Sequence, residues 1–598
     1  MKGMKRRTFR VCVAVAALAL SILIAGVARP PLAAQSKPAN PKFVTIREAD
    51  LRQYLSYISA DQLLGREVFT EGFGMAEGYV AAHLEQWGIK ALGENGTYFQ
   101  TVKLNDVKVA NDNTSVTVSV GGQSRTFKNG AGVTFSVPAG GKQTVVLNGA
   151  EFLGYGLYLA GHDDYAGKNM KGKAAIFLAG QPAGLATNLN RILSGRARHA
   201  LAEANAAAAI SYTVINPAAP SRGGAGAVPG AAAGGPPAAP APAAPQADAP
   251  PVVGTPAPAG RGLRTMGTLG IAVAPQGTFQ TVDDFNRINP PQITANEEFF
   301  NFLFTGAPQS FSELKDLATK GQPLPTFSLP NVTITFNVDD TYQVLQTMYT
   351  HNVVGMIDGT DARLKDTYVL FGAHLDHIGY RPGGTGDVIN NGADDDGSGV
   401  VSEMTIAKAF ATGPKPRRSV IFIWHAGEEK GLYGSRYNAD FPIVPLSKID
   451  AQLNIDMIGR DNYDNRDADY TNSLFIVGDD RISTDLHNVI VDTNAALQKP
   501  LKLDYELNDP ADPETIYYRS DHYSYAAKGI PIAFFTTGLH ADYHRVTDTA
   551  DKIHYEKMAR IVQLIYETGF NLANMDQFVV RDNQGPRSGK GFQGKIKN

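Results

Sequence analysis

The 598-residue chain has one cysteine, Cys12, and it lies within the first 34 residues. Beyond it the chain can form no disulfide, no thiolate zinc site and no catalytic thiol. An excess of positive charge is missing as well. The formal net charge is −3; setting aside the six basic residues of the first 34, which include no acid, leaves 49 basic against 58 acidic side chains, or −9. A mildly acidic body gives nucleic acid no electrostatic footing, so no nucleic-acid partner is expected. The HExxH helix is absent, which excludes that type of metalloprotease. Neither a GxSxG elbow nor a P-loop occurs, which weighs against an α/β-hydrolase and an NTPase. Apart from residues 11–28, no apolar run is long enough to span a bilayer.

What is present is core-forming material: 43% hydrophobic residues, with 28 Phe and 24 Tyr. Lys2, Lys5, Arg6, Arg7 and Arg10 precede the apolar run, and small residues follow it through Ala33 and Ala34. That order reads as a signal peptide over 1–34, and implies a secreted or periplasmic protein with no stable membrane span after its removal. An uncleaved anchor is the competing reading, since 18 apolar residues is about the minimum for a span. Residues 217–262 are almost entirely Ala, Pro and Gly, too poor in burial to offset their ordering entropy, and read as a disordered loop. Residues 581–598 are Gly-rich and basic, and read as a flexible tail.

Between these segments the grammar changes twice. Residues 45–107 carry helical patterns (ADLRQYLSYISADQLLG, EGYVAAHLEQWGIKAL). Residues 108–340 alternate short strands with glycine turns (SVTVSV, TVVLNG, GKAAIFLAG, VTITFNV), a β-rich module. Residues 341–580 read as α/β: DTYVLFGA, SVIFIWHA, AQLNIDMI and PIAFFTT are near-continuous apolar strands between helical stretches, as in a sheet covered by helices on both faces.

Acids and histidines follow those apolar runs. His374 and Asp376 come after the first, with GADDDGSG (Asp394, Asp395, Asp396) opening a helix. Glu428 and Glu429 come after the second, Asp456 ends the third, and Tyr543 and His544 follow the fourth. Ligands in open α/β sheets gather at the carboxyl ends of strands. Taken singly, each piece has a bland reading: the Asp run as a helix cap, the Glu pair as a solvated turn, His544 as a structural histidine. Repetition at strand after strand weakens those readings. Carboxylate and imidazole donors without cysteine suit Zn(II), Co(II) or Mn(II). His377 and His425 read as structural.

In this order, H-x-D, GADDDGSG, GEE, DM and YH resemble the co-catalytic two-zinc aminopeptidases, whose relatives include aminopeptidase Y, glutamate carboxypeptidase and the transferrin receptor. The segment AEFLGYGLYLAGHDDYAGKNMKGKAAIFLAG is similar to the protease-associated module inserted in many members. The resemblance implies an α/β fold with a mixed central sheet of the phosphorylase/hydrolase-like type, and that module inserted between 45–107 and 341–580. It implies two Zn²⁺, with Co²⁺ or Mn²⁺ as substitutes: His374 and Asp456 on one, Glu429 and His544 on the other, and Asp395 bridging. Asp376 would hold the His374 imidazole in its ligating tautomer. Glu428 would be the general base on a metal-bridging water, and Tyr543 would stabilise the oxyanion. Arg519, Ser520, Asp521 and His522 look like the family's substrate-pocket segment. The implied activity is that of a metallo-aminopeptidase on peptide substrates. A carboxypeptidase or dipeptidase on the same centre, a non-catalytic binding protein and a glutaminyl cyclase-like enzyme are the alternatives.

Overall fold

The computed structural model describes residues 43–135, 141–159, 162–185, 190–212, 279–282, 288–461 and 470–582. The leader 1–34, the Ala/Pro/Gly stretch 217–262 and residues 583–598 lie outside them. No helix among the described residues is long and apolar enough to cross a membrane.

Four parallel strands, Ser419–His425, Tyr368–His374, Ile449–Ile455 and Ile532–Thr536, form the middle of a ten-stranded sheet. Antiparallel neighbours flank them, Thr341–Ile357 beside the first and Ser473–Val477 beside the last, so the sheet is mixed. Every residue of Ser419–His425, Ile449–Ile455 and Ile532–Thr536 is buried, which requires cover on both faces.

Successive strand residues point to opposite faces, and the two covers differ accordingly. On one face Phe371 and Phe422 stack at 5.5 Å between ring centroids. Phe410 from the helix Gly399–Thr412 packs on both, and Tyr566 and Phe570 from the helix Tyr555–Asn574 pack on Phe410. Gly569 lets that last helix descend onto the sheet, since a Cβ there would sit 2.1 Å from the Phe371 ring. On the other face Leu370, Ile421 and Ile423 pack with Tyr525 and Ile530. Each such buried side chain contributes about 1.5–3 kcal/mol.

The chain leaves this sheet after Ala110 and returns at Thr341, and the two strands pair antiparallel from Thr341–Ala110 to Val353–Phe99. Between them eight strands close into a barrel, running from Ser115–Val120 to Thr326–Asp339 in the chain. Alternate residues of Ser115–Val120 point inward, onto a core that includes Phe127, Phe152, Phe299 and Phe336. At the neck the buried Thr114 hydroxyl donates to Asp340 at 2.8 Å and accepts from the Asp339 amide at 2.9 Å. One strand within 108–340 leaves the β-rich module: Phe279–Thr281 pairs with Phe99–Ala110 at the edge of the main sheet. Its Phe279 is buried with Val102, Leu104 and Tyr433, which covers an otherwise open edge.

Candidate metal centre

The parallel strands end together and deliver the candidate residues. His374 and His425 are the last residues of adjacent strands and lie in register. Asp456 follows Ile449–Ile455, and Tyr543 and His544 lie in the turn beyond Ile532–Thr536. Asp394, Asp395 and Asp396 lie in a tight turn, Ala393–Ser398, that leads into the helix Gly399–Thr412.

Only one of these three aspartates faces the centre from the turn. Asp394 accepts from the Gly459 amide at 2.6 Å and lies 3.1 Å from His540 Nε2. The Asp396 carboxylate accepts from the amides of His374, Gly399 and Met457, tying the turn to two strand ends. Asp395 reaches in between. Its Oδ1 is 3.3 Å from His374 Nε2, and its Oδ2 is 3.0 Å from His544 Nε2. Asp456 Oδ2 is 3.7 Å from His374 Nε2, which makes His374, Asp395 and Asp456 one group. Glu429 Oε2 lies 3.0 Å from His544 Nε2, and Glu429 Oε1 lies 3.0 Å from His377 Nδ1. The two groups share Asp395.

These buried atoms are not paired with one another as hydrogen bonds. Asp395 Oδ2, Glu429 Oε1, His544 Nε2 and both His377 ring nitrogens make none. An unsatisfied buried polar atom costs about 1–3 kcal/mol, so several converging on one spot call for a ligand. Zinc bonds of about 2.0–2.2 Å in a tetrahedron put neighbouring donors about 3.4 Å apart. Contacts of 3.0–3.7 Å between carboxylate and imidazole donors fit two such ions.

The supporting contacts explain how the donors are aimed. His374 Nδ1 lies 3.1 Å from the backbone carbonyl of Asp376, leaving Nε2 as the free donor. The hold that the sequence assigns to Asp376 thus runs through its main chain; its carboxylate accepts from the amides of Glu428 at 3.0 Å and Glu429 at 3.3 Å. Ser520 donates to Asp456 Oδ2 at 2.7 Å. Glu429 turns toward His377 and His544, whereas Glu428 lies within electrostatic reach of His374, Asp456 and Arg519. Burial, with Glu429 and Asp456 nearby, pushes the Glu428 carboxyl well above its ordinary range, opposed by His374. Tyr543 stacks on His544 at 3.8 Å between centroids, and Arg519 donates to its hydroxyl at 3.2 Å. Burial keeps that hydroxyl protonated.

Of the pocket-like segment, Arg519 and Ser520 reach the centre. Asp521 lies 3.4 Å from His425 Nδ1, and His522 Nε2 donates to the Tyr517 carbonyl at 2.8 Å, so both brace the loop behind it. Three contributors escaped the sequence reading. Asp548 accepts from the amides of Asp394 and Asp395, holding the turn from below. Arg66 is fully buried, donates to the carbonyls of Ile58, Leu375, Asn391 and Gly392, and sets a cation beneath the acids. His377, read as structural, lies in the second group. The only sequence signal for it is its spacing three residues after His374.

Fold and centre together define an α/β protein with a two-position carboxylate–imidazole site at the ends of its parallel strands. The stretch that holds every one of these donors, residues 352–569, matches the model of Peptidase family M28. The probable leucine aminopeptidase 2 of Aspergillus fumigatus is 30% identical over 193 residues, 32% of this chain and 34% of that protein. Aminopeptidase Y of Saccharomyces cerevisiae is 29% identical over 266 residues, 42% of this chain and 44% of that protein. The chain thus spans between a third and a half of the length of these curated relatives. Among solved structures, the aminopeptidase from Aneurinibacillus sp. strain AM-1 is similar over 90% of this chain and 96% of its own, at 17% identity and a TM-score of 0.41.

Proposed function

We propose that the protein is an exported zinc-dependent exopeptidase that hydrolyses N-terminal residues from peptides. The observation that carries this reading is Asp395, whose two oxygens face two separate imidazole–carboxylate groups. His374 and Asp456 would hold one zinc ion, Glu429 and His544 the other, with Asp395 between. Two bound zinc ions supply polarisation of the scissile carbonyl and acidification of water toward neutrality. The remaining steps belong to the chain's own residues. Glu428, made more basic by burial, takes the proton of the attacking water and passes it to the leaving amine. Tyr543 donates its hydroxyl proton to the developing oxyanion, because the lone pair facing Arg519 is already occupied. The aminopeptidase names of the curated relatives support attack at the N-terminal residue. The barrel is read as a protease-associated-type cover: its Arg191 lies 2.8 Å from Glu514, which also holds Arg519. The basic and apolar leader supports export to the periplasm or medium.

A panel of aminoacyl p-nitroanilides and their N-acetylated counterparts, with and without chelator, tests the reading. The expected result is cleavage that needs a free amine and stops on chelation. Cleavage of N-blocked peptides from the carboxyl end would convert it to a carboxypeptidase. Activity that survives verified metal removal would overturn it.

A further inference from the structure

We propose that His377 is itself a metal ligand, through Nδ1, and that the two metal positions are therefore chemically unequal. The inference rests on the two-metal reading above and adds a donor to it. His377 is fully buried, and neither ring nitrogen makes a hydrogen bond. Other buried histidines of this domain behave differently. His425 Nε2 bonds the Tyr525 hydroxyl at 2.9 Å, His487 Nδ1 bonds Asp479 at 2.8 Å, and His522 Nε2 bonds a carbonyl at 2.8 Å. Nδ1 of His377 comes within 3.0 Å of Glu429 Oε1 and 3.7 Å of Asp395 Oδ2, yet neither approach is aligned as a hydrogen bond. The ligand atoms of His377, Asp395 and Glu429 all lie within 4.8 Å of one another, a spacing at which the three can share one ion.

The ring is also built into place. The His377 amide donates to the Arg66 carbonyl at 3.2 Å, fixing the main chain from outside the turn. Its far edge lies against Gly392, where a Cβ would meet the ring at 2.5 Å. Gly392 has φ 58°, a conformation that favours glycine, so the residue that permits the turn also makes room for the imidazole. With one edge pressed on Gly392 and its main chain held, the Nδ1 edge is left facing Glu429 and Asp395.

With His377 included, the position at Glu429 has two imidazoles and two carboxylates, from His377, His544, Glu429 and Asp395. The position at Asp456 has one imidazole and two carboxylates, from His374, Asp456 and Asp395. Imidazole suits zinc, cobalt and nickel, whereas carboxylate-rich sites suit manganese and magnesium. The Glu429 position is therefore the tighter and more zinc-selective of the two. The Asp456 position, with three protein donors, is the more exchangeable one and keeps coordination open for water and substrate.

The test is titration of the metal-stripped full-length protein with Zn²⁺ by calorimetry, and with Co²⁺ by visible absorption. The wild type is expected to bind two equivalents in two steps of unequal affinity. His377→Gln should weaken the tighter step by more than about 100-fold, beyond the 10–100-fold loss typical of groups that only orient a ligand. It should also change the Co²⁺ band of that step alone. His377→Glu, which restores an oxygen donor, should recover the second equivalent and shift its preference from Zn²⁺ toward Mn²⁺. It also serves as the test variant if the glutamine form is misfolded by circular dichroism. Two steps of near-wild-type affinity with an unchanged Co²⁺ band in His377→Gln, or failure of His377→Glu to alter metal preference, would make the residue a positioning group and overturn the proposal. A wild type that binds no metal would instead overturn the underlying two-metal reading, and the wild-type titration alone distinguishes that case.

Discussion

Asp548 bears no donor of the centre, yet its removal should be among the most damaging changes near it. One carboxylate oxygen accepts from Asp394 N at 3.0 Å and Asp395 N at 3.1 Å, and the other accepts from Asp394 N at 3.1 Å. Both amides are buried within the turn that aims Asp395. A hydrogen bond to a charged group contributes about 1.5–3 kcal/mol, and a buried amide left unsatisfied costs about 1–3 kcal/mol. Asp548→Ala strands two such amides and should destabilise the fold by about 3–5 kcal/mol. Asp548→Asn keeps the shape and one acceptor, sets an NH₂ against the remaining amide, and should cost about half as much. Because the same turn carries Asp395, zinc affinity should fall by about 10–100-fold, the range for supporting groups of metal ligands. Urea unfolding of metal-free protein reads the first effect, and competition with a zinc-binding dye reads the second. Wild-type unfolding midpoint and zinc affinity in Asp548→Ala would refute the reasoning, since they would mean that the turn holds itself.

Glu428→Gln should retain both metals and near-normal KM while kcat falls by about 10²–10⁴, the contribution of a positioned acid/base, and its pH–rate profile should lose the acid limb; metal loss in this variant, with Glu429→Gln retaining metal, would mean that the two roles are exchanged. Tyr543→Phe should lower kcat by about 10²–10³ as an oxyanion donor is lost. Arg519→Lys, which cannot serve Glu514 and Tyr543 together in the same geometry, should lower kcat by about tenfold with little change in KM; a change confined to KM would make Arg519 a substrate-binding group instead. Burial lowers the pKa of His522 to about 3 and that of His199 to about 4. Both are depressed below the unfolded value of about 6.5, so the unfolded chain binds more protons and stability should be lost as pH falls from about 6.5 toward 4, at about 1.4 kcal/mol per unit for each. Buried carboxyls raised to about 6 (Asp376, Asp450 and Asp548) or about 7 (Asp512) act with the opposite sign in the same range. The contribution is therefore read as the difference in denaturation midpoint between metal-free wild type and His522→Gln or His199→Gln across that range. A difference independent of pH would contradict the neutral state of the ring replaced.

The pattern of this centre is legible because its donors sit where apolar runs end. His374 ends a strand of the buried sheet, Glu429, Asp456 and His544 follow others, and parallel strands bring their carboxyl ends to one edge whatever the intervening sequence. Adjacent Glu428 and Glu429 are similarly readable as two roles, because neighbouring residues on one turn face different ways. Local pattern cannot say where a side chain is aimed when the decision lies in contacts distant along the chain. Asp394, Asp395 and Asp396 are chemically identical in sequence. They are told apart by the Gly459 amide, the His374 and Met457 amides, and the Asp548 carboxylate that holds the main chain between them. Arg66 lies more than 300 residues before the carbonyls of Leu375 and Gly392 that it binds, so nothing near it announces a buried cation beneath the acids. His377 has the spacing of a ligand and also that of a structural histidine. What separates the two is clearance beside Gly392 and the absence of any hydrogen-bond partner for the ring. Sequence by itself therefore determined the chemistry available, an acid- and imidazole-lined strand edge without thiols. Tertiary structure decided which of those groups converge, because convergence depends on packing clearance and long-range hydrogen bonds that no local periodicity encodes.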